Sequence, residues 1–248
     1  MQPTLRILIV DDDRRMTRTL ADILTISGYQ AVEASSGAEA LAAINTQAFD
    51  CVLTDIKMPE MNGVELHSRL REAQPGLPVL LMTACAAEEL IHQGLEEGVV
   101  GVFDKPLDIN HLLSFFSSLA SHRAVVVVDD DQAFCMTLAD ILSQRGFKVE
   151  QVHNPTLNVE SIASDAQVIL LDLKLNGLSG LDVLKEIRKK YPQLPVLLVT
   201  GYRHEMAASI QAALEINACL YKPLEIPRLL QLLTDTQLGR LRKVLRKI

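Results

Sequence analysis

The sequence contains no CxxC pair, no P-loop and no GxGxxG. Neither a paired-thiolate metal site nor nucleotide binding therefore has support. The four cysteines, Cys51, Cys85, Cys135 and Cys219, are scattered, as buried thiols of a reducing compartment would be. A basic excess is also missing. Lys and Arg number 24 against 31 Asp and Glu, for a net charge of −7, whereas a general nucleic-acid binder wants a basic footprint. No apolar run is long enough to span a bilayer, and the opening MQPTLRILIVDDD meets acids too soon for a signal peptide. We expect a cytoplasmic protein that contacts neither membrane nor nucleic acid. With 48% hydrophobic and 22% charged residues, the composition is globular.

The chain nearly repeats itself. LPVLLMTA at 77–84 returns as LPVLLVTG at 194–201, an offset of 194 − 77 = 117. TLADIL at 19–24 recurs letter for letter at 137–142, and IVDDD at 9–13 returns as VVDDD at 127–131, both at 118. DKPL at 104–107 answers YKPL at 221–224, again at 117. Solenoid repeats run at roughly 20–50 residues, so a period above a hundred means duplicated domains. We place the domains at 1–121 and 122–233, followed by an amphipathic basic helix at 234–248.

Within each copy, short Val/Ile/Leu runs alternate with amphipathic segments. LRILIV, YQAVEA, CVLT, PVLLM and VVGVF read as strands of the first copy. Met16, Leu20, Ile23 and Leu24 share one helical face, repeated by Phe134, Leu138, Ile141 and Leu142. Strands apolar throughout are covered on both sides. The pattern predicts two α/β domains, each a doubly wound (βα)5 flavodoxin-like fold with a parallel five-stranded sheet. Such folds bind ligands at the carboxyl ends of their strands.

The residues at those ends are of few kinds. The first copy offers Asp11, Asp12 and Asp13, then Asp55, Thr83 and Lys105; the second offers Asp129, Asp130 and Asp131, then Asp172, Thr200 and Lys222. Carboxylates crowded into one crevice repel unless a cation intervenes. Mg2+ suits them, since it binds through one or two carboxylates and keeps places for water and phosphate oxygens. A carboxylate beside such an ion can attack phosphorus, with the lysine and threonine taking phosphoryl oxygens.

At these positions the chain resembles, twice, the receiver domain of two-component response regulators. Acceptor to hydroxyl is 28 residues in both copies (83 − 55 and 200 − 172), and hydroxyl to lysine is 22 (105 − 83 and 222 − 200). The resemblance implies that Asp55 and Asp172 accept phosphoryl groups from a sensor histidine kinase or phosphotransfer protein. It implies that Asp11 and Asp12, and Asp129 and Asp130, hold Mg2+ with the backbone carbonyls of Lys57 and Lys174. Thr83 and Thr200 would sense the phosphoryl group, and Lys105 and Lys222 would bind it. Family residues two past the acceptor and two past the threonine flank the attacking water. Here they are Lys57 and Cys85, then Lys174 and Tyr202.

One departure recurs. The Tyr or Phe usual three residues before the lysine is Val102 in one copy and Cys219 in the other. We read Asp13 and Asp131 as starting the helices that follow them. None of the six histidines looks like an internal phosphodonor. Leu238, Leu241, Leu245 and Ile248 form a stripe that we read as extending or packing on the last helix of the second domain, ahead of a partner- or dimer-binding helix. The whole reads as a tandem-receiver response regulator without a dedicated output domain, acting through protein contacts rather than as an enzyme, with a homodimer left open. The alternatives are a receiver-like scaffold that takes no phosphoryl group, and a phosphatase-type hydrolase using Asp11. The hydrolase would leave Lys105 and Lys222 unexplained.

Overall fold

The computed structural model of the protein describes residues 5–84, 87–121, 124–153, 159, 166–201 and 216–246. The chain divides into two units, residues 1–121 with 238–248, and residues 122–237. The first runs β1 (Arg6–Val10), α1 (Arg14–Ile26), β2 (Gln30–Ala34), α2 (Gly37–Thr46), β3 (Cys51–Asp55), α3 (Gly63–Ala73), β4 (Val79–Thr83), α4 (Glu88–Glu97), β5 (Gly101–Asp104) and α5 (Ile109–Ser121). Its strands pair in parallel in the order β2-β1-β3-β4-β5.

The second unit runs β6 (Ala124–Val128), α6 (Gln132–Ser143), β7 (Lys148–Val152), β8 (Ala166–Asp172), β9 (Lys174–Leu175), β10 (Leu178–Ser179), α7 (Gly180–Lys190), β11 (Val196–Thr200) and β12 (Ala218–Tyr221). Its parallel sheet, β7-β6-β8-β11-β12, has the same order, and β9 and β10 form a small antiparallel pair after the acceptor strand. Both sheets thus have the doubly wound order 2-1-3-4-5. A final helix, α8, spans Ile226–Leu245.

Alternation explains why the strands are apolar throughout. Along β1, Ile7 and Ile9 join the core under α1 and α5, while Leu8 and Val10 join the one under α2 and α3. In β6, Val126 and Val128 face one layer and Val125 and Val127 the other. Successive side chains point to opposite faces, so a sheet covered twice needs apolar residues at every position.

Two sequence expectations shift. The buried face of α1 is Thr17, Leu20, Ala21 and Leu24, and that of α6 is Cys135, Leu138, Ala139 and Leu142. Ile23 and Ile141 lie at the margin, because the small side chains bring the other edge of each helix onto the sheet. The basic C-terminal segment, expected from residue 234, is continuous with α8, and a boundary at 233/234 falls inside that helix. Residues 238–245 are the last turns of α8 and group with the first unit, not with the second domain expected for the leucine stripe. No helix among the described residues is long and apolar enough to cross a membrane.

Candidate phosphoacceptor sites

In the first unit, β1 ends just before Asp11, β3 at Asp55, β4 at Thr83 and β5 just before Lys105, so the fold gathers these side chains at one sheet edge. Lys105 Nζ lies 2.6 Å from Asp11 Oδ2 and also bonds Asp55 Oδ1. The Lys57 amide donates to Asp55 Oδ2 at 2.8 Å. A backbone bond from Lys105 N to Thr83 O, 2.6 Å, ties the hydroxyl strand to the lysine. Asp12 is exposed beside the buried Asp11.

The second unit repeats the set with a different spread. Lys222 Nζ is 2.6 Å from Asp129 Oδ2 but 3.4 Å from Asp172 Oδ2, and Lys222 N donates to Thr200 O at 2.8 Å. Phe134 places its ring centroid 4.4 Å from the ammonium, a cation–π contact. The counterpart of Phe134 is Met16 (134 − 118). Asp129, Asp130 and Asp172 each bring a carboxylate oxygen within 4.8 Å of the other two, and among the described residues they are the one such set of potential ligands.

Each pocket sets two buried acids against one lysine, so it carries surplus negative charge. Burial pushes the Asp55 carboxyl above its usual range; Lys105 opposes this and Asp11 adds to it. Burial likewise raises Asp172, against Lys222 and with Asp129. Burial works against the charge on Lys105 and Lys222, but the carboxylates outweigh it and hold both ammonium groups above their ordinary value. Such a pocket favours a further hard cation, and its all-oxygen donors fit Mg2+.

Asp13 and Asp131 are N-caps. Asp13 accepts from Arg15 N at 2.9 Å and Asp131 from Phe134 N at 3.0 Å. Val102 and Cys219 occupy the positions without an aromatic. Val102 packs toward Leu81, Val99 and Ile91, while Phe103 turns to the opposite core beside His111, ring centroids 5.0 Å apart. Both Lys–Pro bonds, Lys105–Pro106 and Lys222–Pro223, are cis. Cys85 and Tyr202 lie outside the described residues.

Two glycines outside the acid, hydroxyl and lysine pattern also shape the sites. A Cβ on Gly63 would fall 2.3 Å from the Asp55 carbonyl oxygen, and one on Gly180 would fall 2.1 Å from that of Asp172. Their amides donate to Ile56 O and Leu173 O, both at 2.9 Å, so the helix after each acceptor starts flush against the acceptor's own backbone. The signal was an equal spacing, 63 − 55 and 180 − 172, both 8.

The model of the response regulator receiver domain matches this chain twice, at residues 7–116 and 125–234. A response regulator receiver protein of Anaeromyxobacter sp. (strain Fw109-5) is 34% identical over 201 residues, 81% of this chain and 84% of that protein. The transcriptional regulatory protein GlrR of Escherichia coli (strain K12) is 37% identical over 102 residues, 41% of this chain and 23% of GlrR. A solved receiver domain of Methanospirillum hungatei JF-1 is 32% identical, covering 48% of this chain and 94% of its own, with a TM-score of 0.46. The chain belongs to the response regulator receiver domain family, with two receivers in tandem, and so to two-component signalling.

Proposed function

We propose that both receivers are phosphoacceptors, Asp55 in the first and Asp172 in the second, serving a sensor histidine kinase or phosphotransfer protein. The observation that carries this is the recurrence, at one edge of each sheet, of a buried acceptor acid bonded to a lysine whose backbone is tied to a threonine strand. An acceptor oxygen forms the new O–P bond while the donor's P–N bond breaks, its electron pair staying on the imidazole nitrogen. Lys105 and Lys222 take phosphoryl oxygens, and Thr83 and Thr200 hydrogen-bond one of them. Asp11, Asp12, Asp55 and the Lys57 carbonyl, and Asp129, Asp130, Asp172 and the Lys174 carbonyl, would hold Mg2+, which when bound would supply positive charge opposite the phosphoryl oxygens. The protein's own chemistry is then acceptance and loss of a phosphoryl group. Its output is contact with other proteins in the cytoplasm.

Incubation with acetyl phosphate and Mg2+ is expected to add two phosphoryl groups by intact mass. Asp55→Asn and Asp172→Asn should each remove one, and the double variant both. Labelling that survives the double substitution refutes the assignment.

The two signals should also differ in duration. Loss of the phosphoryl group needs water in line behind phosphorus, an approach that the family resemblance assigns to positions 85 and 202, a small thiol in Cys85 and a ring in Tyr202. Phospho-Asp172 is therefore expected to outlast phospho-Asp55 when each single-acceptor protein is followed after donor removal, and Tyr202→Ala should shorten it. Equal lifetimes would remove the shielding role.

A further inference from the structure

The last helix ends somewhere the repeat does not require. Residues 226–237 of α8 belong to the second unit and residues 238–245 to the first. There Leu241 is 2% exposed, in one cluster with Leu80, Val100, Leu112 and Phe115, and Leu238, Val244 and Leu245 pack around it. Leu245 fills a hole in β5, for a Cβ on Gly101 would fall 2.3 Å from its Cδ1. The matching residue of the other copy is Ala218 (101 + 117), whose methyl group would close that seat.

Arginines hold the segment at its flanks. Arg242 donates to Leu95 O at 2.5 Å and Val99 O at 2.7 Å, and Arg240 to Ser118 O of α5 at 3.3 Å. Leu95 is among the last residues of α4, whose carbonyls lack partners within the helix, and a guanidinium there meets the negative end of the helix dipole. Arg71 of α3 takes the neighbouring Glu97 carbonyl. The tail thereby grips α4 by its C-terminal end. The opposite end of α4 starts at Glu88, five residues after Thr83 (88 − 83).

We propose that the α4–β5–α5 surface of the first receiver is a docking site for an amphipathic helix with leucines at i, i+3 and i+7 and an arginine at i+4. Residues 238–245 of this same chain are its occupant, and their docking opposes occupation of Asp55. The inference rests on the acceptor reading of Asp55. A phosphoryl group gives the Thr83 hydroxyl a new partner, and a shift of Thr83 carries the start of α4 with it. While Arg242 holds the Leu95 and Val99 carbonyls, α4 resists that shift. The state that suits an occupied Asp55 thus binds the tail less well, and the coupling acts equally in both directions.

The test uses the full chain carrying Asp172→Asn, with Mg2+ and beryllofluoride as the phosphoryl mimic. Binding is expected to speed amide exchange across residues 238–245 and 95–101. Arg242→Ala should tighten beryllofluoride binding by about five-fold or more, the lower end of usual allosteric coupling. Leu245→Ala should act in the same direction by emptying the Gly101 seat, with circular dichroism confirming that both variants fold. A filled Asp55 with tail amides still protected, or affinities unchanged in both variants, overturns the inference and leaves the acceptor reading standing. A chain that takes no beryllofluoride at Asp55 overturns both.

Discussion

A methyl group added at Gly63 or Gly180 is expected to cost its receiver about 3 kcal/mol or more and to abolish phosphoryl acceptance there. At the start of a helix, Gly→Ala ordinarily helps by up to about 1 kcal/mol. Here the sign reverses. The new Cβ would meet the Asp55 carbonyl at 2.3 Å, or the Asp172 carbonyl at 2.1 Å with Leu173 Cα at 2.8 Å. These neighbours are backbone and cannot swing aside. Either the helix is driven off or the acceptor strand is displaced, and the carboxylate moves with it. Gly239→Ala is the control, since nothing lies within 4 Å of its Cβ and the residue is inside α8. It should stabilise slightly. Urea unfolding and intact-mass labelling of the three variants check this, and a Gly180→Ala protein as stable as the parent and still labelled at Asp172 would refute it.

The second large effect is acid sensitivity of the first receiver through His67. This α3 residue is 4% exposed, with its Nδ1 unpartnered. Burial lowers its pKa from 6.5 to about 4, the Arg71 charge assists, and Glu97 opposes. The folded protein therefore binds the proton less readily than the unfolded chain does. Stability is retained above about pH 6.5 and lost as pH falls toward 4, by about 3 kcal/mol in total. His67→Gln should flatten that dependence without reproducing it from other groups. Urea midpoints of the first receiver at pH 7, 5.5 and 4.5 provide the measurement. Parallel curves for parent and variant would show that His67 does not carry the effect.

Much of this was legible in the chain because duplication spells each pattern twice. One apolar run ending in Asp is common, whereas two sets of Asp, Thr and Lys at equal spacing locate a sheet edge. The strands were readable because burial on both faces leaves no polar position to confuse the pattern. Other features depend on space rather than type. Gly63 and Gly180 matter because backbone lies across from them, which a sequence expresses only as a matching gap. Thr17, Ala21, Cys135 and Ala139 take buried places because they are small, whereas hydrophobic periodicity counts the larger Met16, Ile23, Phe134 and Ile141 on those faces. The leucine stripe after residue 237 announced an apolar face but not its seat, since the hole at Gly101 lies 144 residues away from Leu245 (245 − 101).

That distance has a consequence for biosynthesis. Leu241 completes an apolar cluster that includes Val100, the residue before β5, made 141 residues earlier (241 − 100). At about 5–20 residues per second, the first receiver waits roughly 7–28 s on the ribosome with that side of its core uncovered. Anything that stalls translation in the second receiver prolongs the exposure. The first domain to be synthesised is in this respect the last to be finished.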